Sequence, residues 1–334
     1  MEMISVIIPC YNSSFTIRNC ILSVINTGYK PMEIIVVDDA STDNSLDIVK
    51  ELCNKYNHLL RIIEIKNNGG PARARNEGAR FANGDYYFFL DSDTIMLNNT
   101  LANFIRSISN ADSVSGLYHW QPINNSFVAW YQALLKHSLY LQEGVFEYDV
   151  FNSAVAGIRA NIFNKSRGFC EHLSWGMDYE NEEFGYRLFK NYKMLSDPSV
   201  CVQHNFPGFI KMTKNYFHRV SLWMELFMLR RKFESGGLAS GKMGLATLGA
   251  PLAILTLPLM ALIPKALILS IFFIIIYLYG YRNFFSIIFE KKPFFFPVSV
   301  VLGLYFSSVI VLGAFFGFVR VLVGTSRVNQ NILD

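Results

Sequence analysis

Short apolar runs alternate with longer amphipathic stretches along the first half of the chain. The runs ISVIIPC, EIIVVDD, RIIEIK and YYFFLD are rich in β-branched and aromatic residues, which favour strands. The stretches between them have the spacing of helices that bury one face. Such alternation is typical of a mainly parallel sheet with helices on both sides. The pattern predicts strands over 4–10, 33–39, 61–66 and 86–91, and helices over 14–27, 44–56 and 71–83.

The middle of the chain, residues 111–205, is less regular. Its apolar runs predict strands near 113–118 and 199–204, with a helix near 179–191 between them. Residues 214–233, KNYFHRVSLWMELFMLRRKF, then combine aromatic residues with a basic end and predict an amphipathic helix. Because this helix precedes a strongly apolar region, we expect it to lie in a membrane interface, the alternative being a core helix packed on the domain.

The apolar region predicts membrane-spanning helices. Residues 244–263 and 294–319 are each long enough to cross a bilayer, which takes about 20 apolar residues, and 266–281 is slightly short. With three spans, the first two form a tight hairpin. With two, the proline-bearing segment 244–263 lies in the interface or enters partway. The positive charges do not settle the number of spans. With three, Arg282, Lys291 and Lys292 fit the cytoplasmic side, whereas Lys265, Arg320 and Arg327 would lie outside.

Composition and charge support a membrane location. Hydrophobic residues make up 51% of the chain, and the net charge of +4 arises in residues 223–334, which hold ten basic and four acidic residues. A basic excess suits nucleic acid or an anionic membrane surface, and the apolar character of the same segment favours the membrane and no nucleic acid. The N-terminus lacks the pattern of a signal peptide. Five scattered cysteines predict reduced thiols in a cytosolic domain: Cys10, Cys20, Cys53, Cys170 and Cys201.

Acidic residues end two of the predicted strands. Asp38 and Asp39 close the strand 33–39, and Asp91 and Asp93 follow the buried run YYFFL. Ligands of open α/β sheets bind beyond the carboxyl ends of the strands. Two carboxylates at i and i+2 suit Mg²⁺ or Mn²⁺, which take oxygen ligands and also bind substrate phosphates. The alternative for Asp93 is a cap on a helix that starts near residue 98.

Two further positions suit a nucleotide. A carboxylate at Asp39 can accept hydrogen bonds from a base or a ribose; alternatively, Asp43 and Ser41 cap the next helix and Asp39 is structural. In NNGGPARARNEGAR, residues 67–80, two glycines and a proline precede a helix that carries Arg75. The guanidinium of Arg75 can pair with a diphosphate.

Four motifs, IPCYN, VVDDAST, GGPARARNEG and GDYYFFLDSDT, resemble the family 2 glycosyltransferases of GT-A fold, over about residues 4–205. The resemblance implies a Rossmann-like α/β domain, a nucleotide-diphosphate sugar donor (UDP is the family's commonest carrier), Mn²⁺ or Mg²⁺, and inversion at the anomeric carbon. A histidine after the final strand, here His204, helps to hold the metal or the diphosphate in several such enzymes; the alternative is a structural histidine. Carried over by motif, the donor-binding residues are Pro9, Tyr11, Asn12, Asp39, Arg75, Asp91 and Ser92, and the metal ligands are Asp91, Asp93 and His204.

The general base departs from the family's pattern. The family usually places a Glu-Asp pair before an arginine, and the Asp deprotonates the acceptor hydroxyl. In WGMDYENEEFGYRL, counting back from Arg187 puts Asn181 at that position, and asparagine takes no proton. Glu180 is the first candidate for the base and Asp178 the second; Glu182 and Glu183 lie nearby. Alternatively, a polyprenyl phosphate acceptor is already ionised and needs no base. Against this, PCYNSS differs from the opening common in polyprenyl-phosphate synthases, and residues 153–169 resemble the acceptor side of enzymes that extend glycans.

The resemblance and the apolar region together predict a membrane-anchored enzyme. We expect a GT-A domain at 1–210 on the cytosolic face, an interfacial helix and linker at 211–243, transmembrane helices at 244–323 and a tail at 324–334. The expected activity is inverting transfer of a sugar to a hydroxyl of a lipid-linked or cell-envelope glycan acceptor. A different class, a non-catalytic nucleotide-sugar-binding membrane protein, is suggested by Asn181. The retained site acids and Arg75 argue against it. A nucleotidyltransferase is disfavoured because IPCYNSSF lacks a glycine-rich, lysine-bearing loop.

Overall fold

The computed structural model describes residues 2–141, 144–171 and 179–328. Their internal contacts divide the chain into two compact units. Unit 1 takes residues from 1–123 and 143–205, and unit 2 takes residues from 124–142 and 206–332. The chain therefore passes between the units three times. The four-part division expected from the sequence stays a prediction.

Unit 1 is built on one mixed sheet, which has nine strands among the described residues. The strands are β1 (Ile4–Cys10), β2 (Met32–Asp38), β3 (Leu60–Glu64), β4 (Tyr86–Leu90), β5 (Thr94–Met96), β6 (Ser113–Tyr118), β7 (Phe146–Glu147), β8 (Val155–Arg159) and β9 (Met194–His204). The order across the sheet is β3-β2-β1-β4-β8-β6-β9-β5, with β7 also pairing with β9. The first four are parallel, and β8 joins them antiparallel to β4. The expected α/β fold with a mixed, mainly parallel sheet is confirmed.

Helices connect these strands. They are α1 (Ile17–Asn26), α2 (Ser45–Lys55), α3 (Gly70–Arg80), α4 (Thr100–Ile108), α6 (Ala160–Lys165) and α7 (Glu180–Phe189). The helix expected at 179–191 is thus present. The strand expected at 199–204 begins earlier, at Met194, because the run MLSDPSVCVQH pairs with β6 over most of its length. The expected cap by Asp93 is wrong, since β5 intervenes and Asn99 precedes α4.

The parallel half of the sheet is buried on both faces, as the apolar runs predict. Ile4, Val6 and Ile8 of β1 pack in one cluster with residues of α1, α2 and α4. Ile7 packs in another cluster with Phe89 and with residues of α3, α6 and α7. The alternation of side chains along a strand produces this division. Burying each large apolar side chain contributes about 1.5–3 kcal/mol, so the two clusters hold the sheet ends in place.

Unit 2 is helical. Its helices are α5 (Phe127–Leu141), α8 (Phe209–Arg230), α9 (Gly241–Thr256), α10 (Ala266–Gly280), α11 (Arg282–Lys291) and α12 (Phe296–Leu322). By length and composition, Gly241–Ala261 and Pro293–Leu322 could each cross a membrane, and α10 and α11 together could form a third span bent by 62°. The alternative of two or three spans stays open. The helix expected at 214–233 begins five residues earlier, at Phe209.

Helices α8 and α12 run parallel in close contact. The ring of Phe209 lies 4.8 Å from that of Tyr305, and the ring of Phe217 lies 5.6 Å from that of Phe316. A Cβ at Gly313 or Gly317 would overlap backbone carbonyl oxygens of α8, so only glycine allows this approach. Glycines four residues apart let helices pack backbone to backbone.

A buried ion pair fixes the register of the two helices. Glu225 of α8 is fully buried and is paired with Arg320 of α12. Arg320 also donates to Ser221 Oγ at 2.7 Å, and Glu225 accepts from Ser326 Oγ at 2.9 Å and from the Arg327 backbone N–H at 2.6 Å. The carboxylate is thus compensated, as a buried charge must be.

Phe89→Ala should destabilise unit 1 strongly. Phe89 is fully buried among aromatic rings, and losing a buried phenylalanine costs about 3–5 kcal/mol. The melting temperature of the detergent-purified chain should fall by roughly 2–4 °C per kcal/mol. Phe15→Ala is the matched control, since Phe15 is 97% exposed and should melt like the parent. Equal melting of the two variants would contradict the assigned core.

Candidate active site

An arginine on α3 joins two acidic elements of the candidate site. Arg75 is buried, and its Nη2 donates to Asp91 Oδ1 at 2.8 Å, where β4 ends. Its Nη1 lies 3.6 Å from Glu180 Oε1, at the start of α7. The guanidinium also lies over the ring of Phe169, 5.6 Å from its centre. The structure therefore brings together three residues that the sequence predicts for the site.

Arg75 retains hydrogen-bonding capacity. Its Nε and Nη1 are buried and have no hydrogen-bond partner among the described residues, because the Nη1–Glu180 distance exceeds a hydrogen bond. Buried polar groups without partners are costly and are expected to bind something. Two free donors on a planar guanidinium suit an anionic oxygen such as that of a phosphate.

Asp93 and His204 form a second pair. Strands β5 and β9 are antiparallel with Thr94 opposite His204, and this register brings the adjacent Asp93 close. His204 Nε2 lies 3.4 Å from Asp93 Oδ1. The His204 ring packs edge-on against Tyr118 at 4.7 Å, which orients it. Tyr118 is not among the site residues predicted from the sequence, although its place at the end of the strand expected at 113–118 is a usable signal.

The donor set at this pair suits a divalent cation in part. The described residues contain no group of three potential metal-ligating side chains. Asp93 and His204 nevertheless supply one carboxylate and one imidazole that lie 3.4 Å apart. Oδ1 of Asp91 is already hydrogen-bonded to Arg75. Mg²⁺ commonly takes only one or two carboxylates and completes its shell with substrate phosphates and water. The residues present therefore fit a metal shared with a diphosphate.

Asp39 holds the loop before α3. Its Oδ1 accepts the Gly69 backbone N–H at 2.9 Å, and its Oδ2 accepts that of Gly70 at 2.8 Å. The carboxylate thus meets the positive end of the helix that carries Arg75. Each oxygen has a second lone pair, so the predicted contact with a base stays a prediction. Asp39 is buried, and the residue after it, Ala40, has a left-handed φ of 60°, which costs about 1–3 kcal/mol at a non-glycine position.

The loop after β1 is tied to the loop after β2. Pro9 pairs with Val37 in the sheet, and Asn12, with a left-handed φ of 49°, accepts the Thr42 backbone N–H at 2.8 Å. Asparagine tolerates this backbone conformation better than most residues. Between them, Tyr11 is 49% exposed. The side chain of this tyrosine is thus accessible at the end of β1.

Two serines and an aspartate complete these loops. Ser92 Oγ lies 2.8 Å from Ser13 Oγ, which links the Asp91–Asp93 turn to the loop after β1.

Burial alone would raise the pKa of Asp43, but hydrogen bonds from Ser45 and Ser14 outweigh it and lower the pKa to about 2. Asp43 therefore stays ionised and caps α2, as one alternative from the sequence had it. Ser41 instead donates its backbone N–H to Asp38.

Asn181, the residue at the position expected for the general base, is neutral, and its side chain is already hydrogen-bonded. Asn181 Oδ1 accepts the Ser153 backbone N–H at 3.3 Å. Glu183 is paired with Arg187 at 2.7 Å, and Glu180 is buried beside Arg75. Asp178 lies outside the described residues. Among the carboxylates of α7, Glu180 is thus the one that joins the Arg75 pair.

The buried thiols of Cys10, Cys20 and Cys201 are structural. All five cysteines are free. Burial, with the nearby Asp38 charge, raises the pKa of Cys10 to about 12, and burial raises the pKa of Cys201 to about 12. Cys20 Sγ donates to the Asp91 carbonyl oxygen at 3.5 Å and thereby packs beneath the site. These protonated thiols are not nucleophiles.

The sheet, the acids at its strand ends and the arginine between them define a GT-A glycosyltransferase domain. Residues 5–167 match the sequence model of glycosyl transferase family 2, so the chain contains a domain of that family. The structure of the mannosyltransferase PcManGT from Pyrobaculum calidifontis, in complex with GDP-Man and Mn²⁺, shares the fold with a TM-score of 0.57 and 18% identity, over 96% of this chain and 86% of that one.

Curated relatives match part of this chain at higher identity. An uncharacterized glycosyltransferase of Haemophilus influenzae is 41% identical over 101 residues, which is 30% of this chain and 40% of the relative. The UDP-Glc:alpha-D-GlcNAc-diphosphoundecaprenol beta-1,3-glucosyltransferase WfaP of Escherichia coli is 41% identical over 107 residues, 31% of this chain and 41% of the relative. The matched segments thus span about two fifths of these relatives' lengths.

Asp39→Asn should loosen the loop that precedes α3. The amide can accept only one of the two backbone N–H groups and turns its own NH₂ toward the other, which should lower the free energy of unfolding by about 1–3 kcal/mol. Thermal melting of the purified chain measures the effect. Asp47→Asn, at an exposed position in the first turn of α2, is the control. If the two variants melt alike, Asp39 does not hold the loop.

Proposed function

We propose that this chain is a membrane-anchored, inverting glycosyltransferase. It moves a sugar from a nucleotide-diphosphate sugar to a hydroxyl of a lipid-linked or cell-envelope glycan acceptor. The observation that carries the proposal is the convergence of Arg75, Asp91 and Glu180, with Asp93, two residues after Asp91, paired with His204 at the end of β9. A donor site and a candidate base are thereby joined through one buried guanidinium.

The donor diphosphate is proposed to bind at the strand ends. Arg75 offers its two unpartnered donors to phosphate oxygens, while Asp93 and His204 would hold Mn²⁺ or Mg²⁺. When bound, the metal would neutralise the charge that develops on the diphosphate leaving group. The loops carrying Tyr11 and Asp39 would hold the nucleoside. A UDP-sugar is the first candidate, since the WfaP relative is named for UDP-Glc.

Transfer is proposed as a single in-line displacement. The acceptor oxygen forms a bond to the anomeric carbon as the bond to the diphosphate oxygen breaks, which inverts the configuration. Glu180 takes the proton of the acceptor hydroxyl, and Arg75 beside it compensates the carboxylate when it is ionised. Asp178 is the second candidate for this proton.

Membrane anchoring is proposed from unit 2. Two of its helices are long and apolar enough to cross a bilayer. An anchored domain on the cytosolic face would hold the site at the surface where a membrane-tethered acceptor is concentrated. The WfaP relative is named for an acceptor of this chemistry, a diphosphoundecaprenol-linked sugar.

Nucleoside diphosphate release tests the proposal. The detergent-purified chain should release the diphosphate from one of a panel of UDP-, GDP- and TDP-sugars with Mn²⁺, and a lipid extract should stimulate release. Glu180→Gln should reduce lipid-stimulated release by about 100-fold or more, since a positioned acid–base group contributes about 10²–10⁴-fold. Asp93→Asn should also reduce release, because it removes a proposed metal ligand. Asp47→Asn is the control and should keep the parent rate. Metal-dependent nucleotide binding without release from any donor would favour the non-catalytic binding protein, and absence of both would reject the proposal.

A polyprenyl phosphate acceptor is the second candidate, and Asn181 favours it. The base position of the family is neutral here and its side chain is bonded to Ser153. An ionised phosphate oxygen needs no base to attack. With this acceptor, Glu180→Gln would keep its activity while Asp93→Asn would lose it.

Asn181→Asp separates the two acceptors. The new carboxylate can keep the hydrogen bond from Ser153, so the variant should fold. With a hydroxyl acceptor, the added base should maintain or raise the rate. With polyprenyl phosphate, like-charge repulsion should lower kcat/KM by roughly tenfold. Initial rates with a glycolipid and with a polyprenyl phosphate, compared between parent and variant, decide between them.

A further inference from the structure

The first two turns of α8 expose an amphipathic face. Lys211 and Lys214 lie on it and are exposed. Beside Lys214, one turn earlier on the helix, Ile210 is 72% exposed. Residues three or four apart on a helix are neighbours, so the two ammonium groups lie on one side of α8. A pair of cations next to an exposed apolar side chain suits a ligand with an anionic head and an apolar tail.

Contacts with α12 locate this face of α8 along the length of the candidate membrane span. Phe209 packs on Tyr305, and Phe217 packs along Gly313, so the first turns of α8 lie beside residues 305–313. The candidate span Pro293–Leu322 has 30 residues, of which a bilayer core of about 30 Å takes about twenty. Wherever those twenty fall, residues 305–311 lie inside the core or at its edge. Lys211 and Lys214 then lie at the same depth.

No carboxylate of the described residues compensates these lysines. Unit 2 contains three glutamates, and each has another partner: Glu225 pairs with Arg320, Glu234 accepts from Trp223, and Glu290 pairs with Lys291. The same unit contains fourteen lysines and arginines. A cation at this depth is costly unless it is paired, and such residues mark binding sites. Because the described residues supply no carboxylate to these lysines, a bound ligand is the expected source of the compensating anion.

We propose that Lys211 and Lys214 bind the phosphate or diphosphate group of the lipid-linked acceptor, with Ile210 against the start of its hydrocarbon chain. This rests on the proposed function and names the part of the substrate that the membrane unit recognises. The acceptor lipid is chosen over bulk phospholipid because α8 begins only five positions after His204 in the chain. An acceptor held on α8 is thus tied to the candidate active site by a short covalent connection.

Direct binding of farnesyl diphosphate tests the site without turnover. The full-length chain in neutral detergent is titrated by thermal shift, without divalent metal so that the donor site does not retain the diphosphate. Farnesyl diphosphate should stabilise the parent. In K211Q/K214Q, its Kd should rise roughly tenfold or more, as expected when two lysine–phosphate contacts are lost. K232Q/K242Q, which removes the same charge from two exposed lysines elsewhere in unit 2, should bind like the parent.

Comparison ligands identify the source of the phosphate. Farnesol should bind weakly because it lacks the anion, and inorganic diphosphate should bind weakly because it lacks the tail. If phosphatidylglycerol stabilises the parent as strongly as farnesyl diphosphate does, the face is a general phospholipid contact and the proposal is wrong. Equal loss of binding in both double variants would likewise overturn it.

A kinetic measurement distinguishes failure of this site from failure of the proposed function. In K211Q/K214Q, KM for the lipid acceptor should rise at least tenfold, while KM for the sugar nucleotide and acceptor-independent donor hydrolysis stay at parent values. Unchanged acceptor KM in an active enzyme would reject the lysine site alone. Absence of donor hydrolysis in the parent would reject the transferase and leave the binding result to stand separately.

Discussion

The buried guanidinium of Arg75 is the constraint on which the site depends. A charge this deeply buried requires compensation, and breaking a buried pair by removing one partner costs about 3–5 kcal/mol. Asp91 and Glu180 provide that compensation from two different elements. The end of β4, the body of α3 and the start of α7 must therefore meet at one point. The same electrostatic requirement that assembles these elements also leaves two donors available to a diphosphate.

The loops around this point are fixed before any ligand binds. Asp39 holds the start of α3 and Asp43 holds the start of α2, each through backbone N–H groups. Asn12 joins the first two strand ends across their loops. A site whose loops are already ordered loses less entropy when a ligand binds. A structural role and a functional role of Asp39 are therefore compatible, because the carboxylate that holds the loop can also contact a bound nucleoside.

Much of unit 1 is predictable from sequence because its signals are local. The strands, the acids at their ends and the arginine of GGPARARNEG are all visible in short motifs, and the GT-A fold follows from them. The Asp93–His204 pair is harder to predict from the sequence. It depends on the pairing of β5, which is three residues long, with a strand about a hundred residues away. The partnership of Tyr118 with His204 depends on the same long-range pairing. The assignment of α5 to unit 2 could not be predicted, because an apolar helix looks alike whichever core buries it.

The position of α5 limits how this protein can be divided. Its fifteen residues lie in the chain between strands β6 and β7 of unit 1, yet they pack in unit 2. Cutting the chain after Asn205 would leave this helix attached to the sheet with its apolar face bare, a predicted route to aggregation. Recombination that exchanges only residues 206–332 would likewise leave α5 without the helices it packs against. The helical unit is therefore contributed by two separate segments of the chain, and replacing it requires a matching change within residues 124–142.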